Sequence, residues 1–218
     1  MGNNYYVTEG AAEYVVTLFP FAYVGVCVDV GAFDPLWTSN SWLFEQMGWD
    51  TYCIEPNPHC IPKLKKYRKN VLAYACSDFN SDNEKLYLFN SKNLGEFEEA
   101  AGTGLIDHRL GPSDPIRHED IFSVEIPVKV RTLDWLMENE IKKEHIDYLS
   151  IDVENNELST LCGISLFKWK PKVICIENIN QVDKTQLAYL SVRGYRLVHR
   201  IIFNDFYMLD DYYRERFS

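Results

Sequence analysis

The chain has 218 residues, 46% of them hydrophobic and 25% charged, with a net charge of −10 at pH 7. That length and balance suit one soluble domain with a substantial core, and the acidity speaks against an electrostatic grip on nucleic acid or an anionic membrane surface. Six cysteines without a CxxC pair, no apolar run of about 18 residues, and no basic-apolar leader in MGNNYYVTEG predict neither zinc site, disulfide frame nor membrane span, but a cytoplasmic protein.

In chain order, TEGAAEYVVTLF (8–19) predicts a helix with Thr8 as cap and Pro20 as stop. A buried strand follows at 24–30, ending in Gly31. A helix at 38–47 is capped by Thr38, Ser39 or Asn40 and closed by Gly48. Strand two covers 51–55, Pro56 and Pro58 punctuate a turn, and a helix spans about 59–68. Its run KLKKYRK (63–69) reads as a solvated face. VLAYAC (71–76) is strand three, followed by Ser77-Asp78. Residues 79–131 interrupt this β-α-β-α-β rhythm: KLYLFN (85–90) and FSVEIPVKV (122–130) read as an antiparallel ribbon. The long stretch between them holds His108, Arg109, Arg117 and His118 and reads as a lid or substrate loop, or as a surface excursion.

The rhythm then resumes. TLDWLMENE (132–140) is a helix capped by Thr132, IDYLSID (146–152) is strand four, and NNELSTLCG is a short helix closed by Gly163. VICIE (173–177) is strand five. A helix at about 183–193 ends at Gly194, and 195–210 forms a hairpin around Asn204-Asp205, leaving an aromatic tail, DDYYRERF, that could pack on a partner. Residues 1–218 therefore read as a single domain with 79–131 as its insertion.

Acids recur where successive strands end: Asp29, Glu55, Asp78, Asp152 and Glu177. In an open parallel sheet those ends share the edge where ligands bind. Such a row favours a ligand that is cationic or rich in hydroxyls, and a sulfonium attached to an adenosine is both. A dinucleotide is disfavoured, because the turn reads G-A-F-D-P where G-x-G-x-x-G would be needed. Asp34 would repel a phosphate and Pro35 lacks a donor.

The blocks VDVGAFDPLWTSN (28–40), CIEPNP (53–58), ACSD (75–78), VRTLDWL (130–136), IDYLSIDVENNELSTLCG (146–163) and VICIE (173–177) together resemble a class I S-adenosylmethionine-dependent methyltransferase of the FkbM type. The resemblance implies a Rossmann-like α/β fold: a seven-stranded, mostly parallel sheet of order 3-2-1-4-5-7-6 with helices on both faces. It implies a cofactor site of Asp29, Gly31, Ala32 and Asn40 around the methionine portion, Glu55 with Asn57 at the ribose, Ser77 and Asp78 at the adenine, and Asp152 near the methyl group. Two positions depart from the family pattern: Ser150 stands where Lys is common, and Asn155 where Gly is common.

The expected chemistry is O-methylation of a sugar or glycan hydroxyl, or of another small-molecule acceptor, with Asp152, Glu154 and Glu177 as candidate bases and His108 or His118 if the long loop folds over. A Mg²⁺ ion held by Asp152, Glu177 and Asn178 is a further hypothesis. The rivals are an RNA ribose 2′-O-methyltransferase, for which strand four lacks a lysine beside Asp152, and a non-catalytic module that binds the cofactor or a partner.

Overall fold

The computed structural model describes residues 10–91, 121–179 and 184–218. The central sheet contains β1 (Val26–Val30), β2 (Asp50–Ile54), β3 (Asn70–Leu72), β7 (Tyr148–Ile151), β8 (Val173–Glu177), β9 (Tyr195–Ile201) and β10 (Asn204–Leu209). A second, three-stranded sheet contains β4 (Ala75–Cys76), β5 (Ser81–Ser91) and β6 (Ile121–Arg131). In these chain-order labels the large sheet runs β3-β2-β1-β7-β8-β10-β9 rather than the expected 3-2-1-4-5-7-6. The label order differs because β4, β5 and β6 form a sheet of their own and occupy three places in the numbering. The large sheet is mixed: β3, β2, β1, β7 and β8 are parallel, whereas β10 is antiparallel to both β8 and β9.

Strand β1 shows why the sheet is covered on both faces. All five of its residues are buried, and successive side chains point to opposite faces. Val26, Val28 and Val30 join one core cluster with Leu133, Leu136, Leu161 and Leu190. These come from α4 (Leu133–Leu136), α5 (Glu157–Cys162) and α7 (Thr185–Ser191). Cys27 faces the other way, into a cluster with Ala11, Val15, Phe44 and Tyr212, drawn from α1 (Ala11–Thr17), α2 (Trp42–Gln46) and α8 (Asp210–Phe217). Thr132 caps α4 as expected, its hydroxyl accepting from the Trp135 amide at 3.1 Å, and the helix continues as a π-turn over Met137–Ile141.

Two expectations are corrected. Residues 71–76 do not form one strand: the chain leaves the large sheet after Leu72 and enters the small one at Ala75. The last hairpin turns at Ile202-Phe203, one step before Asn204-Asp205, with Ile202 at φ +49°. The aromatic tail is helix α8, with Tyr212 Oη donating to the Leu18 carbonyl at 3.1 Å. No helix among the described residues is long and apolar enough to cross a membrane.

The end of the sheet away from the strand termini is locked by Asp147, which is fully buried. Its carboxylate accepts from the Val26 amide (2.8 Å) and Tyr23 Oη (2.7 Å) and pairs with Lys172 Nζ (2.8 Å). Burial works against this charge, but the hydrogen bonds from Lys172, the Val26 amide and Tyr23 outweigh it and hold the carboxyl below its usual range. A group depressed in the folded state contributes stability above its unfolded pKa of about 3.9, and that contribution is lost as pH falls through the folded value. Asp147→Ala is therefore expected to cost about 3 kcal/mol at pH 7, as when one partner leaves a buried pair. The loss should shrink below pH 4 when urea midpoints of both proteins are followed from pH 7 to 3.

Candidate active site

A cleft opens at the carboxyl ends of β1, β2 and β7, lined by Asp29, Gly31, Ala32, Thr38, Asn40, Glu55, Asp152 and Glu154 among others. Its geometry starts at Gly31. The residue has φ +85°, and a Cβ there would overlap the Asp152 carbonyl oxygen. Only glycine meets both demands. The amides of Gly31 and Ala32 both donate to the Ile54 carbonyl (2.9 and 3.2 Å), which folds the loop after β1 across the end of β2.

The same loop explains Glu55. Its Oε2 accepts from the Phe33 amide (2.9 Å) and its Oε1 from the Asn57 amide (2.8 Å). Burial dominates these two bonds and pushes the carboxyl up to about 7. Each oxygen keeps a second lone pair for a ligand. Asn57 itself is buried, with Oδ1 accepting from the His59 amide (2.9 Å), so it supports Glu55 through its backbone and does not line the cleft. Asp34, which reads as a phosphate-repelling acid, is a turn residue here: Oδ1 accepts from the Leu36 and Trp37 amides (2.9 and 2.8 Å), and Oδ2 pairs with Lys63.

Beyond β7 the chain bends sharply, with Glu154 at φ +55° and Asn155 at φ +69°. Asparagine tolerates the left-handed region better than most residues, which suits Asn155 to this bend. The bend is braced by Glu157, whose Oε1 accepts from the Asn155 amide (3.0 Å), and by Asn156, whose Nδ2 donates to the Cys76 carbonyl (2.9 Å). Tyr74, Ala75, Cys76 and Leu86 form the far wall. Ser77 and Asp78 are not among the lining residues. Ser77 is buried beside Gly163, and Asp78 is exposed.

The acids repel one another. Glu154 is pushed up to about 8 by burial first and then by Asp152 and Glu157. Burial raises both Asp152 and Glu177, and the neighbouring carboxylates add to it. Glu177 is absent from the cleft lining. The remaining member of the expected Mg²⁺ set, Asn178, donates from Nδ2 to Asp205 at 2.9 Å. Among the described residues no group of three His, Cys, Asp or Glu side chains is arranged to hold a metal ion. The residues do not fit the Mg²⁺ hypothesis. His108, Arg109, Arg117 and His118 lie outside the described residues.

Arg68 was hidden by its neighbours in sequence. Lys63, Lys65, Lys66 and Lys69 are exposed as a solvated face should be, but Arg68 is only 4% exposed. Helix α3 (Ile61–Tyr67) ends one residue earlier and Arg68 is extended, at φ −117° and ψ 144°. Its side chain therefore leaves the helical row. Thr38, Tyr74 and Leu86 were likewise unforeseen in the lining. Only Tyr74 and Leu86, as apolar residues of a strand and a ribbon, carried a signal that could have placed them there.

Sheet and cleft together define a doubly wound α/β protein of the methyltransferase-like class. Residues 29–197 match the family model described as the methyltransferase FkbM domain, and the chain belongs to that family. Among solved structures, the methyltransferase FkbM from Methylobacillus flagellatus KT has a similar fold, with a TM-score of 0.51 and 17% identity. The similarity covers 88% of this chain and 45% of that one, so this chain spans less than half of that protein's length. Among curated proteins, none matches the chain.

Because Glu154 ionises in the folded protein only near pH 8, against about 4.3 unfolded, the native state binds the extra proton between those values. Its favourable contribution is complete below about pH 4.3 and is lost as pH rises through 8. In ligand-free protein, Glu154→Gln should gain stability relative to wild type as pH rises from 5 to 9. Parallel urea-midpoint curves for the two proteins would show the carboxyl to be ordinary.

Proposed function

We propose that this chain transfers the methyl group of S-adenosylmethionine to a hydroxyl of a sugar, or of another small-molecule acceptor. The observation that carries this reading is the sign of the cleft: Asp29, Glu55, Asp152 and Glu154 line it, and no lysine, arginine or histidine does among the described residues. Carboxylates crowded in a partly dry site favour a sulfonium and an ammonium and disfavour a phosphate. The Asn40 amide oxygen, buried without a partner, adds an acceptor that a ligand donor would satisfy.

In this reading Asp29, Gly31, Ala32 and Asn40 surround the methionine portion. The Glu55 oxygens, each already held by a backbone amide, accept from the two ribose hydroxyls. Tyr74, Ala75, Cys76 and Leu86 offer the adenine an apolar wall. When bound, the cofactor supplies a methyl group already activated as a sulfonium. Asp152 would balance that positive charge, and its own charge raises the cost of ionising the neighbouring Glu177 carboxyl. Glu154 would take the proton of the acceptor's hydroxyl as that oxygen is methylated. A base with a pKa near 8 suits proton removal around neutral pH. An RNA acceptor is disfavoured by the same acidity, since its phosphates would meet these carboxylates.

Calorimetric titration with S-adenosylhomocysteine is expected to give micromolar binding to wild type and at least tenfold weaker binding to Glu55→Ala. With labelled methyl donor and a panel of sugars, Glu154→Gln should lower kcat by about 10²–10⁴-fold with little change in S-adenosylhomocysteine affinity. Failure of the wild type to bind would overturn the cofactor assignment. Binding without transfer to any acceptor would favour a non-catalytic module.

A further inference from the structure

We propose that Arg68, acting through the Ser41 hydroxyl, is a positioning residue that holds the Asp29 carboxylate in one orientation for the ammonium end of the ligand. The inference rests on the cofactor reading above and assigns a role to a residue that does not line the cleft. The Arg68 side chain is fully buried. Its Nε donates to Glu45 Oε2 (2.8 Å), Nη1 to Ser39 Oγ (3.0 Å) and the Pro35 carbonyl (3.3 Å), and Nη2 to Ser41 Oγ (2.8 Å). One guanidinium thereby ties both ends of the loop that runs from the cleft floor to α2.

The hydrogen-bond arithmetic orients Ser41. A guanidinium has donors and no acceptor, so the bond from Arg68 occupies a lone pair of the Ser41 oxygen and leaves its single proton to be given elsewhere. That proton goes to Asp29 Oδ2. Among the described residues no other donor reaches the Asp29 carboxylate. Its sheet neighbours are Cys53 on β2 and Ser150 on β7, and the Ser150 hydroxyl is itself without a partner. One carboxylate oxygen is fixed and the other is left for the cleft. Glu45 keeps the arginine in place, with its second oxygen bound to the Lys69 amide (3.1 Å), and Trp42 lies 5.5 Å from the guanidinium. The positive charge also favours the ionised form of Asp29 against the cost of burial.

A purely structural Arg68 and a positioning Arg68 differ in which part of the ligand feels its loss. The test compares two ligands, S-adenosylhomocysteine and 5′-methylthioadenosine, which lacks the amino-acid portion, on wild type, Ser41→Ala and Arg68→Lys. Both variants are first checked for cooperative melting and native near-UV circular dichroism. Arg68→Lys keeps the charge but cannot make the fork, and Ser41→Ala removes only the hydroxyl, so one informs if the other fails to fold. In each folded variant S-adenosylhomocysteine should bind about tenfold more weakly, while 5′-methylthioadenosine affinity stays within about twofold of wild type. Equal losses for both ligands, or no loss for either, overturn the positioning role. Wild type that binds neither ligand would sink the cofactor reading itself, a result visible before any variant is made.

Discussion

The approach of Gly31 to the Asp152 carbonyl is the constraint on which the rest of the site depends. Two strands that are neighbours in the sheet, β1 and β7, end at the same level. The chain leaving each must turn away without colliding. A residue without Cβ in a left-handed conformation is what allows the first loop to pass over the end of the second. From that crossing follow the seat of Glu55 under the Phe33 amide, the sharp bend at Glu154 and Asn155, and the lining of the cleft by both loops.

The two ends of strand β7 illustrate how one sheet separates stability from chemistry. Asp147, before the strand, is buried beside a lysine, a tyrosine and a backbone amide, and each contact rewards its negative charge. Asp152, after the strand, is half-buried among carboxylates, and the charges of Glu157 and Asp29 penalise its own. The sequence IDYLSID contains the two acids in nearly identical settings. Their roles part only when tertiary neighbours are known: a latch on one side, and on the other a set of carboxylates that repel one another.

Much of this was legible beforehand. Apolar runs ending in an acid, each followed by a turn and a helical period, identify a parallel sheet and the edge where its acids gather. Glu55, Asp152 and Gly31 could therefore be placed by pattern alone. Arg68 could not, because the helical period of the lysines continues through its position while the helix stops at Tyr67. The break between β3 and β4 was equally hidden, since VLAYAC is uniformly strand-like and nothing local shows that the chain changes sheets inside it. Likewise, the acceptor that engages the Asn178 side chain, Asp205, comes from a hairpin strand far along the chain, and the tail DDYYRERF packs against the end of α1.

The change of sheet after Leu72 has its own consequence. The small sheet is joined to the cleft at its base, where Asn156 and Thr160 both donate to the Cys76 carbonyl and Leu86 enters the wall. From there β5 and β6 run side by side in antiparallel register out to Ser91 and Ile121. An arm anchored in this way is tied to the cleft through its base. The fold thus separates a root fixed by hydrogen bonds to the Cys76 carbonyl from an antiparallel arm that belongs to a sheet of its own.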